Sequence, residues 1–185
     1  MKKYLKDYIY KSSFLDKQFC NETIAELQKI KKSNWQEHTF SNPKDKTLIK
    51  LSNNNELDIL YSNEIKNTEI IMRDLWYQIN NYIKNLNFPW FDGWNGYTHI
   101  RYNKYIENKK MALHCDHIHS IFDGERKGIP ILSCLGVLND DYEGGEFIMF
   151  DDYKIKLKQG DLLIFPSNFM YPHKVDPVKK GTRHS

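Results

Sequence analysis

The sequence predicts an α+β protein, with helices first and a β-sandwich or barrel after them. Three observations carry this. Apolar residues recur every three or four positions in the first half and shift to short, strand-like runs in the second. The second half holds many short apolar runs punctuated by turn residues, the pattern of a sandwich or barrel. No internal repeat and no low-complexity linker divides the chain, so its 185 residues are expected to form one domain. Within it, 1–95 is expected to be a mainly helical support and 96–185 the β-core.

Taken in order, "LDKQFCNETIAELQKIKK" sets Phe19, Ile24, Leu27 and Ile30 on one helical face, with Ser13 or Asn21 as the expected cap. A polar loop with Pro43 and an Asn triplet follows, interrupted by one short strand at "TLIKL". Ile71, Leu75, Ile79 and Ile83 then step by four, with Trp76 beside them, and predict a second helix. "NFPWFDGWNG" breaks it. Trp90, Phe91 and Trp94 are expected to pack in the core or to form a lip of a groove.

"YTHIRYNKY" alternates and predicts a strand. Further strands are expected at 111–116, 130–138, 146–150, 153–157, 161–166 and 171–176. They are separated by "DGERKG", "NDDYEGG", "FDDY", "KQGD" and "PSN". Gly144 and Gly145 read as a turn requiring positive φ.

Composition excludes several classes. A net charge of +3 is too mild to argue for nucleic acid. Cys20, Cys115 and Cys134 are odd in number and contain no CxxC pair, so neither a disulfide framework nor a cysteine zinc site is expected. The start lacks the apolar run of a signal peptide, and no stretch approaches the ~20 apolar residues of a membrane span. The resulting expectation is a cytoplasmic protein with reduced thiols and no membrane association.

The densest chemistry lies in "MALHCDHIHSIF". On a strand over 111–116, His114 and Asp116 share a face and Cys115 points away. A histidine and a carboxylate so placed supply two ligands of a 2-His-1-carboxylate triad. The third must come from a distant histidine, and His173 in "MYPHKVDPVKKGTR" is the best placed. Arg183 follows ten positions later and can reach the same cavity, where its fork suits a carboxylate. His117 and His119 fall on the opposite face or in the following loop, at the rim of the site.

The ordered set "HCD…YEGGEF…GDLLIFPS…YPHKVDPVKKGTR" resembles the Fe(II)/2-oxoglutarate-dependent dioxygenases, most of all the prolyl 4-hydroxylase type. Specific motifs cover about 97 to 185, and 14 to 35 resembles that type's leading helix more loosely. The resemblance implies a double-stranded β-helix, a jelly-roll or cupin-like core buttressed by the N-terminal helices. It implies His114, Asp116 and His173 as iron ligands and catalytic residues. Arg183 would bind the distal carboxylate of 2-oxoglutarate, assisted by Tyr102, with Tyr105 as rival. Val137 stands in the stretch where many relatives carry a tyrosine, so one cosubstrate hydrogen bond is expected to be missing.

The implied reaction consumes Fe(II)-bound O2 and 2-oxoglutarate, yields succinate and CO2, and hydroxylates an unactivated C–H bond. Ascorbate is an implied reductant. A prolyl residue in a peptide or protein is the implied target. The loops around Trp94, 117–128 and Tyr142 are expected to frame the entrance. Oxidation of a free amino acid, another small molecule or a nucleobase is the enzymatic alternative. A non-catalytic β-sandwich module with a structural metal is the rival of another class; His117 or His119 would then supply a fourth zinc ligand.

Overall fold

A computed structural model describes residues 4–41, 48–49, 55–87, 96–116 and 130–185. Trp90, Phe91, Trp94, His117, His119 and the expected turn at 123–128 lie outside the described residues. The first half carries strands β1 (Tyr10–Ser13), β2 (Gln36–Glu37), β3 (Phe40–Ser41), β4 (Leu48–Ile49) and β5 (Asp58–Leu60), and helices α1 (Lys17–Lys29) and α2 (Thr68–Leu86). The second half carries β6 (Tyr102–Tyr105), β7 (Met111–His114), β8 (Leu132–Gly136), β9 (Glu143–Gly144), β10 (Phe147–Met149), β11 (Tyr153–Ile155), β12 (Asp161–Pro166), β13 (His173–Val175), β14 (Val178–Lys180) and β15 (Arg183–His184).

The strands pair antiparallel into a jelly-roll-like core. One sheet runs β11-β10-β13-β7; opposite it lie β1-β12-β8 and β15-β6-β5-β2. Leu138 N donates to His184 O at 3.0 Å, so the chain leaving β8 joins the last two sheets. Between the layers pack Tyr105, Met111, Phe147, Met149, Leu163, Phe165 and Val175. The apolar run of β12 is buried on both faces. Leu163 and Phe165 point into this core, and Leu162 and Ile164 meet Ile79 and Tyr82 of α2.

Helix α1 buries Leu27 fully and Phe19, Ile24 and Ile30 in part, as the spacing predicts. Its cap is neither Ser13 nor Asn21 but Asp16, whose carboxylate accepts from Phe19 N at 2.8 Å. Ser13 is taken up by the β1–β12 ladder and Asn21 lies inside the helix. Helix α2 buries Ile71 and Ile79, while Trp76 at 37% exposure sits at the margin of the stripe. It stops at Asn87, which adopts the left-handed conformation.

One strand expectation is corrected: the alternating segment from residue 97 becomes a strand only at Tyr102, where pairing with Leu60 of β5 begins. Beside its helices the first half adds strands to the core sheets, β1 joining β12 and β5 joining β6. These strands are too short for alternation to show in the sequence.

Candidate active site

Strands β7 and β13 lie side by side with His114 opposite His173. The predicted strand 111–116 ends at His114. Asp116 therefore owes its position to side-chain bonds rather than to strand alternation. Ser133 Oγ of β8 donates to Asp116 Oδ2 at 2.6 Å. His114 Nε2 lies 3.1 Å from Asp116 Oδ1 and His173 Nε2 3.6 Å from Oδ2.

Each imidazole has its other nitrogen at a backbone carbonyl: His114 Nδ1 is 2.8 Å from Ala112 O, and His173 Nδ1 is 3.1 Å from Tyr171 O. Such bonds hold the proton on Nδ1 and leave Nε2 free as a ligand. One ligand atom from each of His114, Asp116 and His173 falls within 4.8 Å of the others, close enough to hold one metal ion. Phe147 stacks on His173 at 5.4 Å and Phe165 meets it edge-on at 5.0 Å, which fixes the ring in an apolar wall.

Electrostatics suit a cation. Burial alone would push the Asp116 carboxyl up, but the neighbouring His114 and His173 imidazoles and a hydrogen bond from Ser133 hold it well below the usual range. Burial also pulls His173 down, toward the neutral form that a ligand takes.

Arg183 is 1% exposed. Its Nε donates to Tyr142 Oη at 3.2 Å and its Nη1 to Ser185 Oγ at 3.3 Å. Its Nη2 is buried and has no hydrogen-bond partner among the described residues. No ion pair to Arg183 occurs among the described residues. A buried guanidinium left so is costly, and a carboxylate fits it. Two nitrogens and a carboxylate oxygen form the donor set of a non-haem iron site. The residues present thus suit both iron and a dicarboxylate.

Tyr102 is placed elsewhere. Its hydroxyl is 2.7 Å from Thr68 Oγ1 of α2, and its ring packs with Leu27, Leu60 and Leu138 beneath the helices. Tyr105, three positions on, faces the core instead and pairs with Arg183 across β6–β15, whose guanidinium carbon lies 4.8 Å from its ring centre. Tyr142, expected at the entrance, has its hydroxyl on Arg183. Val137 is fully buried and brings no hydroxyl.

Several neighbours of the site carry no local signal in the sequence. Ser133 lies in an apolar strand segment without distinguishing context. His38 is ring-to-ring with Phe40 at 4.8 Å, and Phe40 lies 5.7 Å from His114. Burial, aided by the charge of Arg101, lowers His38 to about 4. Glu56 is 4% exposed and accepts from Ala112 N at 3.1 Å, buttressing β7 behind His114. All three depend on long-range packing that no local spacing announces.

Comparison with known proteins agrees with this geometry. Residues 100–185 match the 2OG-Fe(II) oxygenase superfamily model. A PKHD-type hydroxylase of Xylella fastidiosa (strain M12) is 37% identical over 100 residues, which span 45% of this chain and 40% of that protein. One of Idiomarina loihiensis is 34% identical over 87 residues, spanning 45% and 38%. The chain thus matches about two fifths of the length of these curated relatives.

Among solved structures, a prolyl hydroxylase of Trichoplax adhaerens in complex with a hypoxia inducible factor peptide fragment superposes with a TM-score of 0.67 at 17% identity, covering 96% of this chain and 80% of that one. A viral collagen prolyl hydroxylase from Paramecium Bursaria Chlorella virus-1 gives 0.62 at 18%, covering 96% and 91%. At such identities the likeness is one of fold. The likeness to the 2OG-Fe(II) oxygenase superfamily thus lies in sequence over residues 100–185 and in fold over nearly the whole chain.

Proposed function

We propose that this chain is an Fe(II)- and 2-oxoglutarate-dependent dioxygenase that hydroxylates a prolyl residue in a peptide or protein. His114, Asp116 and His173 hold the iron, and Arg183, with Tyr105 beneath it, receives the distal carboxylate of 2-oxoglutarate. The observation that carries the reading is the convergence of those three ligand atoms within 4.8 Å in a fold whose buried Arg183 has an Nη2 with no partner among the described residues. Iron bound there, with 2-oxoglutarate and O2, supplies oxidative decarboxylation to succinate and CO2 coupled to insertion of one oxygen into a C–H bond.

The chain's own residues orient and shield. Ser133 and the two backbone carbonyls aim the ligands. Phe147 and Phe165 keep water from one side of His173. The prolyl target is supported by the prolyl hydroxylases with which the fold superposes. A free amino acid or other small molecule is the competing substrate class.

The test is succinate formation from 2-oxoglutarate with Fe(II), with and without ascorbate, followed by mass spectrometry of proline-containing peptides. Wild type should turn over, and His114→Ala and Asp116→Ala should not. Retained turnover in both variants would sink the assignment. Tightly held zinc that resists chelation, with no turnover by wild type, would point to a structural metal instead.

A further inference from the structure

Glu56 is a carboxylate buried without a cation beside it. It is 4% exposed, and no ion pair to it occurs among the described residues. Its Oε2 accepts from Ala112 N at 3.1 Å, while its Oε1 is buried with no hydrogen-bond partner among the described residues. A carboxylate so placed is costly unless a positive charge comes close. Burial accordingly pushes its carboxyl up, against the Ala112 bond and the charges of Lys110 and His114.

The backbone joint that carries Glu56 does not need this charge. Residues 55–57 run beside the residue that precedes β7: Lys110 N donates to Asn55 O at 2.8 Å, and Leu57 N to Lys110 O at 2.9 Å. These two bonds bracket Glu56, and the fully buried Leu57 anchors the segment in the core. Ala112 connects the side chain to the metal site instead. Its amide is held by the carboxylate, and its carbonyl lies 2.8 Å from His114 Nδ1. Two successive hydrogen bonds therefore run from Glu56 to the imidazole whose Nε2 faces Asp116.

We propose that Glu56 is a positioning residue of the metal site: through Ala112 it sets the His114 ring, and from behind that ring its carboxylate is the buried counter-charge to a divalent ion held by His114, Asp116 and His173. This rests on the metal-site reading above. Asp116 by itself leaves a divalent ion with positive charge in excess, and a second carboxylate in the same poorly screened wall offsets it. The charge thus favours the loaded protein and disfavours the empty one. Loss of an outer partner of this kind corresponds to about tenfold or more in metal affinity.

The experiment is calorimetric titration of the metal-free chain with Mn(II), paired with thermal melts of the metal-free form. Glu56→Gln keeps the shape and an acceptor for Ala112 N and removes only the charge. It should bind Mn(II) about tenfold more weakly, while its metal-free form melts no lower than wild type. Unchanged Mn(II) affinity would overturn the proposal. So would weaker binding accompanied by a lower melting temperature of the metal-free form, which would reduce Glu56 to a support for β7. Asp116→Ala separates the two levels: it should abolish the binding heat, and if Mn(II) still binds there, or fails to bind wild type at all, the underlying metal-site reading fails as well.

Discussion

Ser133 of β8, in the opposite sheet, donates to Asp116 at 2.6 Å, and that bond does what strand alternation cannot do once β7 has ended at His114. Removing an outer partner of a metal ligand typically costs about ten- to a hundredfold in affinity. Ser133→Ala should therefore weaken Mn(II) or Fe(II) binding by about tenfold or more while the melting temperature of the metal-free protein changes little; anaerobic metal titration checks this. The two tyrosines of β6 divide their work in a way that kinetics can read. Tyr102→Phe loses the bond to Thr68 and should cost about 1 kcal/mol of stability. The 2-oxoglutarate KM should stay unchanged, because the ring lies beneath the helices. A raised KM with unchanged stability would contradict the placement.

Elements show where local chemistry decides and where packing does. Helix α1 begins at Asp16 because a carboxylate just before the first turn can satisfy the Phe19 amide. Asp16→Ala should cost about 1 kcal/mol in denaturant unfolding, with Ser13→Ala far less damaging to the helix. The β9–β14 pair depends on the turn glycine. Gly144 has φ +76, and a Cβ there would sit 2.5 Å from Pro177 O. Gly144→Ala should destabilise by roughly 1–3 kcal/mol, read by the same unfolding. The helices and most β-core strands were legible because their apolar periods are long or clean. β1, β2 and β5 were not, since they lie in polar sequence and exist only through their pairing with β12, β5 and β6.

At the scale of the whole molecule, burial and the nearby charge of Lys104 lower His184 from 6.5 to about 4. Between those values the unfolded chain binds more protons than the folded one. Stability is therefore complete above about pH 6.5 and falls as pH drops toward 4. At about 1.4 kcal/mol per unit, this one residue contributes roughly 3 kcal/mol to that loss. Thermal melts of the metal-free chain at pH 7 and pH 4.5 should show the fall, and His184→Gln should remove its share and leave that of His38, which burial lowers likewise. The sequence by itself determined the order of helices and β-core and the HxD, His and Arg signature, since those follow from period and spacing along the chain. Only the tertiary structure decided that Tyr105 rather than Tyr102 faces Arg183, that Ser133 holds Asp116, and that Tyr142 reaches the guanidinium. Alternation tells which residues share a side of a strand. Which layer that side meets is set by pairing between segments far apart in the chain, and no local pattern encodes it.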